Sequence, residues 1–165
     1  MRLEDGDVAL RPVMAGDVPA LRAALEDEEL QRWFPVETPV TDRSALAYVD
    51  SERNWHAVVG ALGGDLLGAI GWRPVDQGIV QVFYWITREA RGRGVATKAL
   101  ELVSAWAFER LGAPRVQLLV EPENVGSQRV AEKAGFTCEG LLRSYMDFHD
   151  TRRDAFMFSL LPGEL

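Results

Sequence analysis

Cysteine is nearly missing from this 165-residue chain. Cys138 stands alone, which excludes an internal disulfide framework and fits a reducing compartment. Beside Phe136 in an apolar stretch, it reads as a packing residue rather than a nucleophile. Lysine is almost as scarce: only Lys98 and Lys133 occur among the 18 Lys and Arg, a bias that fits a GC-rich bacterial genome. Long apolar runs are lacking too. The best candidate, Ala57 to Trp72, is broken by Asp65 and several glycines, so no membrane-spanning helix is expected. The first ten residues, MRLEDGDVAL, lack the apolar centre of a signal peptide. Positive charge is in deficit, with 25 Asp and Glu giving a net charge of −7, which argues against a broad nucleic-acid surface. What remains is ordinary for a globular protein: 47% hydrophobic and 26% charged residues. These features together predict a soluble, cytoplasmic protein with residues 1–165 as one domain and no metal.

Period-two and helical spacings alternate along the chain. Val8 to Val13 predicts a first strand. Asp17 caps a helix expected through Leu30, and Gln31 to Val40 reads as an aromatic, proline-bearing connection. Thr41 caps another helix expected to about Arg53. Trp55 to Leu62 and Leu66 to Arg73 form a hairpin around Gly63-Gly64-Asp65. After a turn at Pro74 to Gly78 comes a strand, Ile79 to Thr87, and then a helix, Val95 to Leu111. That helix places Val95, Ala99, Leu102, Val103 and Trp106 on one face, and Gly112 and Pro114 stop it. Arg115 to Glu121 is a strand, parallel to the one before the helix, and Asn124 to Ala134 a shorter helix. Phe136 to Asp147 and Arg152 to Leu161 pair around His149-Asp150. The expected class is mixed α/β (α+β): a mostly antiparallel central sheet with one parallel βαβ crossover, flanked by helices.

The stretch Arg91-Gly92-Arg93-Gly94-Val95-Ala96-Thr97-Lys98 is the strand-to-helix turn of that crossover. Glycine lets backbone approach a ligand, and a helix N-terminus offers unpaired N–H groups. The octet therefore predicts an anion site suited to phosphate or pyrophosphate. A Walker A loop fails, because Ala99 follows Lys98 where Ser or Thr is needed. A dinucleotide fingerprint fits Gly92 and Gly94 but finds Thr97 at the third glycine, and too few parallel units follow.

Arg91-x-x-Gly94-x-Ala96 resembles the acyl-CoA pyrophosphate loop of the GCN5-related N-acetyltransferases (GNAT). Glu121-Pro122-Glu123-Asn124-Val125-Gly126-Ser127, followed by Glu132-Lys133-Ala134-Gly135-Phe136, is similar to that family's second cofactor segment. The ending, Glu139 to Tyr145 through Arg153-Asp154, resembles the ribosomal-protein alanine N-acetyltransferases of the RimJ/RimL type. The resemblance implies a GNAT-like domain that binds acetyl-CoA between splayed strands and passes the acetyl group directly to a primary amine. The acceptor class is a protein N-terminal α-amine or a small-molecule amine.

It also implies residue roles. Backbone N–H groups of Arg91, Gly92, Arg93, Gly94, Val95, Ala96 and Thr97 would hold the pyrophosphate, with the guanidinium groups of Arg91 and Arg93 assisting. Ile86 and Thr87 would lie beside the thioester, the N–H near Ile86 polarising its carbonyl. Asn124 and Ser127 would face the pantetheine and sulfur, and Lys133 is a candidate for the 3′-phosphate. Two family positions depart from the pattern: Gln81 stands where many members have glutamate, and Ala131 where many have tyrosine. Ser127 and Tyr145 are the candidate catalytic residues, with His56, Asp76, Asp147 and His149 weighed for a base that stays unassigned. Trp33, Phe34 and Tyr145 are the candidate acceptor-binding residues. The final strand pair offers an edge for a homodimer. An acyl-CoA-binding sensor without catalysis is the competing expectation, which turnover on any amine removes.

Overall fold

Period-two apolar patterns build the strands and helical spacings the helices, and the computed structural model sets them in this order: β1 (Leu3–Asp5), β2 (Val8–Pro12), α1 (Val18–Leu25), α2 (Glu28–Trp33), α3 (Asp42–Val49), β3 (His56–Gly60), β4 (Leu66–Pro74), β5 (Val80–Ile86), α4 (Val95–Leu111), β6 (Val116–Val120), α5 (Val125–Lys133), β7 (Thr137–Phe148) and β8 (Thr151–Leu160). The structure describes residues 2–49, 56–60 and 64–165. All strands join one eight-stranded sheet in the order β1-β2-β3-β4-β5-β6-β8-β7. Every neighbouring pair is antiparallel except β5 with β6, which is parallel across the α4 crossover. The expected class and the single parallel crossover are therefore what the chain forms. No helix among the described residues is long and apolar enough to cross a membrane.

Several boundaries differ from expectation. A short strand, β1, precedes the first one read from the sequence and pairs Leu3 with Leu10. The helix expected from Asp17 to Leu30 is two helices, because Asp27 leaves the helical conformation and its side chain accepts from the Glu29 N–H at 3.1 Å, capping α2. Thus α2 extends into the stretch read as a connection. Cys138 is exposed rather than packed, since β7 is the outer strand of the sheet. The expected helix end at residues 50–53, the strand start at Trp55 and the Ala61 to Gly63 part of the hairpin lie outside the described residues.

The sheet is covered on both faces. On one, α4 buries Val95, Ala99, Leu100, Val103 and Ala107 against Val80, Val82, Val116 and Leu118, with Leu102 and Trp106 at the flank rather than the centre of its stripe. On the other, Leu21, Leu25 and Leu30 of the first two helices meet Ala69 and Trp85. β5 belongs to both layers: Val80, Val82, Tyr84 and Ile86 face α4, whereas Phe83 and Trp85 face α1 and α2. A buried charge closes the α1 end of the sheet. Asp17 accepts two bonds from Arg11, at 2.7 and 2.8 Å, and one from the Met14 N–H, and the Arg11 guanidinium holds its carboxyl below the usual range.

β4 and β5 approach closely at Gly68, opposite Ile86. A Cβ there would stand 2.3 Å from the Trp85 carbonyl oxygen and 2.8 Å from Ile86 Cδ1. Gly68→Ala is expected to destabilise the fold by about 1–3 kcal/mol. Urea denaturation measures it; an unchanged midpoint would contradict this close fit.

Candidate active site

Parallel pairing of β5 with β6 lasts only for Val80 with Val116 and Gln81 with Gln117. Beyond these the strands separate, as the sequence-based reading anticipated. Successive N–H groups of a strand point to opposite edges. The Val80 N–H goes to Arg115 of the β6 side, and the Thr87 N–H to Leu67 beside β4. By that alternation the N–H groups of Tyr84 and Ile86 point to the β6 side, past the last registered pair.

The gap opens into a cleft of about 1040 Å³ lined from both walls and from α2. Its floor is the turn into α4. Gly92 (φ +73°) and Gly94 (φ +77°) both take the left-handed conformation, which favours glycine. A Cβ on either would meet nothing within 4 Å, so the requirement comes from conformation and leaves open space above the backbone. Gly94 is the N-cap and no side chain caps the helix. The first N–H groups of α4 lack intrahelical partners, and Val95, Ala96 and Thr97 line the cleft.

Two of the three cations that mark this turn in the sequence are paired with carboxylates. Arg91 lines the cleft, but its Nη2 pairs with Asp27 at 2.5 Å and its Nε donates to the Ile86 carbonyl at 3.2 Å. Lys98 lies 3.6 Å from Asp5 at the β1–β2 turn. Arg93 is exposed and outside the lining. Arg88, Arg129 and Lys133 do line the cleft, and no ion pair holds them among the described residues. Only Lys133 of these three was read from the sequence. Arg129 precedes it by one helical turn on α5, a spacing that was there to be seen.

α2 is fastened to both walls. Asp27 at its start holds Arg91 of the loop. At its other end Arg32 pairs with Glu123 at 2.9 Å, and Arg153 donates to the Arg32 carbonyl and to Glu121, each at about 2.9 Å. Trp33 and Phe34 consequently line the cleft, with Trp33 Nε1 donating to Glu29 at 3.1 Å.

On the far wall Asn124 caps α5 by accepting from the Ser127 N–H at 3.0 Å. Ser127 Oγ lies 2.8 Å from the Tyr84 hydroxyl, which reaches across from β5. Desolvation pushes the Tyr84 phenol up to about 12, and the Ser127 contact offsets part of that rise. Tyr84 was not singled out in the sequence; only its place in the alternation, two residues before Ile86, marked its face.

Of the other candidates, Ile86, Gly92, Asn124 and Ser127 are in the cleft, while Thr87 falls outside its lining. Tyr145 is not in it: the β7–β8 register shifts between Leu142 and Met146, and the Tyr145 side chain is 49% exposed. His56, Asp76, Asp147 and His149 are likewise outside it. Ala131 is wholly buried in the core and Gln81 does not line the cleft, so neither position supplies an acid or a base there. The carboxylates that do line it are Glu26, Asp27, Glu28 and Glu29.

Residues 7–137 match the family model described as the acetyltransferase (GNAT) domain. This chain belongs to the GNAT acetyltransferase family. As a GNAT N-acetyltransferase it is 27% identical over 168 residues to the uncharacterized N-acetyltransferase p20 of Bacillus licheniformis, covering 95% of this chain and 94% of that one. An acetyltransferase of the GNAT family from Bacillus anthracis has the same fold, with a TM-score of 0.87 over 98% of both chains at 19% identity. RimJ of Mycobacterium smegmatis, solved in complex with CoA-disulfide, gives a TM-score of 0.80 at 25% identity, covering all of this chain and 88% of that one.

If Arg91 holds α2 through Asp27, then Arg91→Ala and Asp27→Ala will not add in their effects on stability. A double-mutant cycle in urea should give a coupling of about 0.5–1 kcal/mol for this partly exposed pair. Strict additivity would show that the pair contributes nothing.

Proposed function

We propose that this GNAT N-acetyltransferase, with residues 1–165 as one catalytic domain, takes acetyl-CoA as donor and acetylates a primary amine, most specifically a protein N-terminal α-amine. The observation that carries the reading is the glycine-led, uncapped N-terminus of α4 at the floor of the gap where β5 and β6 part. Backbone N–H groups from Gly92 to Thr97 and the positive end of the α4 dipole suit a pyrophosphate. Arg88, Arg129 and Lys133 supply the side-chain charge that a phosphorylated donor needs.

When bound, the thioester supplies an activated acetyl group whose thiolate is a competent leaving group. The residues of the chain supply position and charge stabilisation. The Ile86 N–H, aimed into the gap, is placed to donate to a carbonyl oxygen there as negative charge builds on it. Ser127 is the hydroxyl available to stabilise a departing thiolate. Trp33 and Phe34 form the wall past which an amine would enter. The RimJ likeness and the resemblance of the Glu139–Tyr145 ending to that type support the protein N-terminus as acceptor over a small amine.

Gly94→Glu places a carboxylate in the open space above the loop and forces an L side chain into the left-handed region. It is expected to weaken acetyl-CoA binding by at least about 100-fold, the scale of two or more lost charge-assisted bonds. Calorimetry measures this, and unchanged affinity would contradict the cradle. A thiol-release assay across amines and peptides identifies the acceptor; if none of the acceptors tested gives thiol release, only acyl-CoA binding remains and the transferase reading for this chain is overturned.

A further inference from the structure

Among the described residues, a side-chain contact joins the two walls of the cleft across the parted strands: Tyr84 of β5 and Ser127 of α5, hydroxyl to hydroxyl at 2.8 Å. Each partner has its own anchor. Tyr84 packs against the α4 core, and the Ser127 N–H is held by the Asn124 cap. Both residues line the cleft. In geometry either hydroxyl can donate, but the phenol is the stronger acid and therefore the better donor. The next acceptor near the phenol, the Ser127 carbonyl, is a poor one at 3.5 Å.

We propose that Tyr84 is a positioning residue for Ser127: its phenol donates to Ser127 Oγ and so directs the serine proton into the cleft, towards a leaving thiolate. This rests on the acetyl-CoA reading above. As the amine nitrogen bonds to the acetyl carbon and loses a proton to solvent, the carbon–sulfur bond breaks with its electron pair staying on sulfur, and the serine hydroxyl donates a hydrogen bond to that thiolate while keeping its proton. Tyr84 keeps its proton throughout, and polarises the serine hydroxyl so that its outward bond is stronger.

The test uses the full chain with CoA and with desulfo-CoA, which lacks the sulfur, at a pH where the CoA thiol is partly ionised. Tyr84→Phe keeps the ring in place, and Ser127→Ala removes the intermediary. For both variants calorimetry is expected to show about fivefold weaker CoA binding, the scale of one lost hydrogen bond, with desulfo-CoA unchanged. The double variant should be no weaker than Ser127→Ala alone. In turnover, kcat should fall about tenfold with KM for acetyl-CoA within about twofold. If Tyr84→Phe weakens both ligands equally, or adds fully to Ser127→Ala, Tyr84 is only packing and the inference fails while the donor reading stands. If wild-type protein binds neither ligand, the donor reading fails and takes the inference with it.

Discussion

Two registered residue pairs between β5 and β6 are the constraint on which the rest of this structure depends. Had the parallel ladder continued, the N–H groups of Tyr84 and Ile86 would be spent inside a sheet and no cleft would exist. Ending it after Gln81 and Gln117 leaves polar backbone facing a gap, which is costly unless solvent or a ligand meets it. The separation is held open from both sides. β5 stays locked to β4 along its length, with Gly68 allowing the close approach at Ile86, and β6 stays locked to β8. α4 bridges the two strands below, and its N-terminus arrives at the point where they part.

Charge pairing decides what the loop can present. Arg91 is taken up by Asp27 and the Ile86 carbonyl, and Lys98 lies near Asp5. The cleft side of the turn is thus left with backbone donors, while cationic side chains with no ion pair among the described residues come from Arg88 and from α5. This division suits a long, multiply charged ligand. Rigid N–H groups give geometry at one phosphate position, and long side chains give charge along the remainder. The same ion pairs fix α2, which carries Trp33 and Phe34 in the cleft lining, so the aromatic wall and the glycine floor of the cleft are linked through Asp27.

The order of elements along the chain, the crossover and the glycine turn were legible because each is written in local pattern: period two, helical spacing, and two glycines at a strand-to-helix junction. The family resemblance rested on those same residues. What was hidden depends on distance in sequence. The break at Asp27 is partly local, an aspartate cap two residues from Glu29 inside a run that otherwise suits a helix, and it is tied to an arginine 64 residues away. Tyr84 carries no local signal of a role in the cleft, since its partner Ser127 lies 43 residues downstream. Tyr145, a candidate through the resemblance, lies on the stretch of β7 where the register with β8 shifts, and its residue is exposed outside the cleft. Long side chains choose their partners in three dimensions, which is why two of the three cations counted in the octet, Arg91 and Lys98, pair with carboxylates far away in sequence.

The central claim is that backbone at the α4 N-terminus, within the β5–β6 gap, receives the phosphates of CoA. Titration of 15N-labelled protein with CoA, followed by amide correlation spectra, tests it at the atoms concerned. The account predicts that the largest shifts fall on the amides of Gly92, Gly94, Val95, Ala96 and Thr97, with Ile86 following. Saturable binding that leaves those amides unmoved while others shift would contradict it.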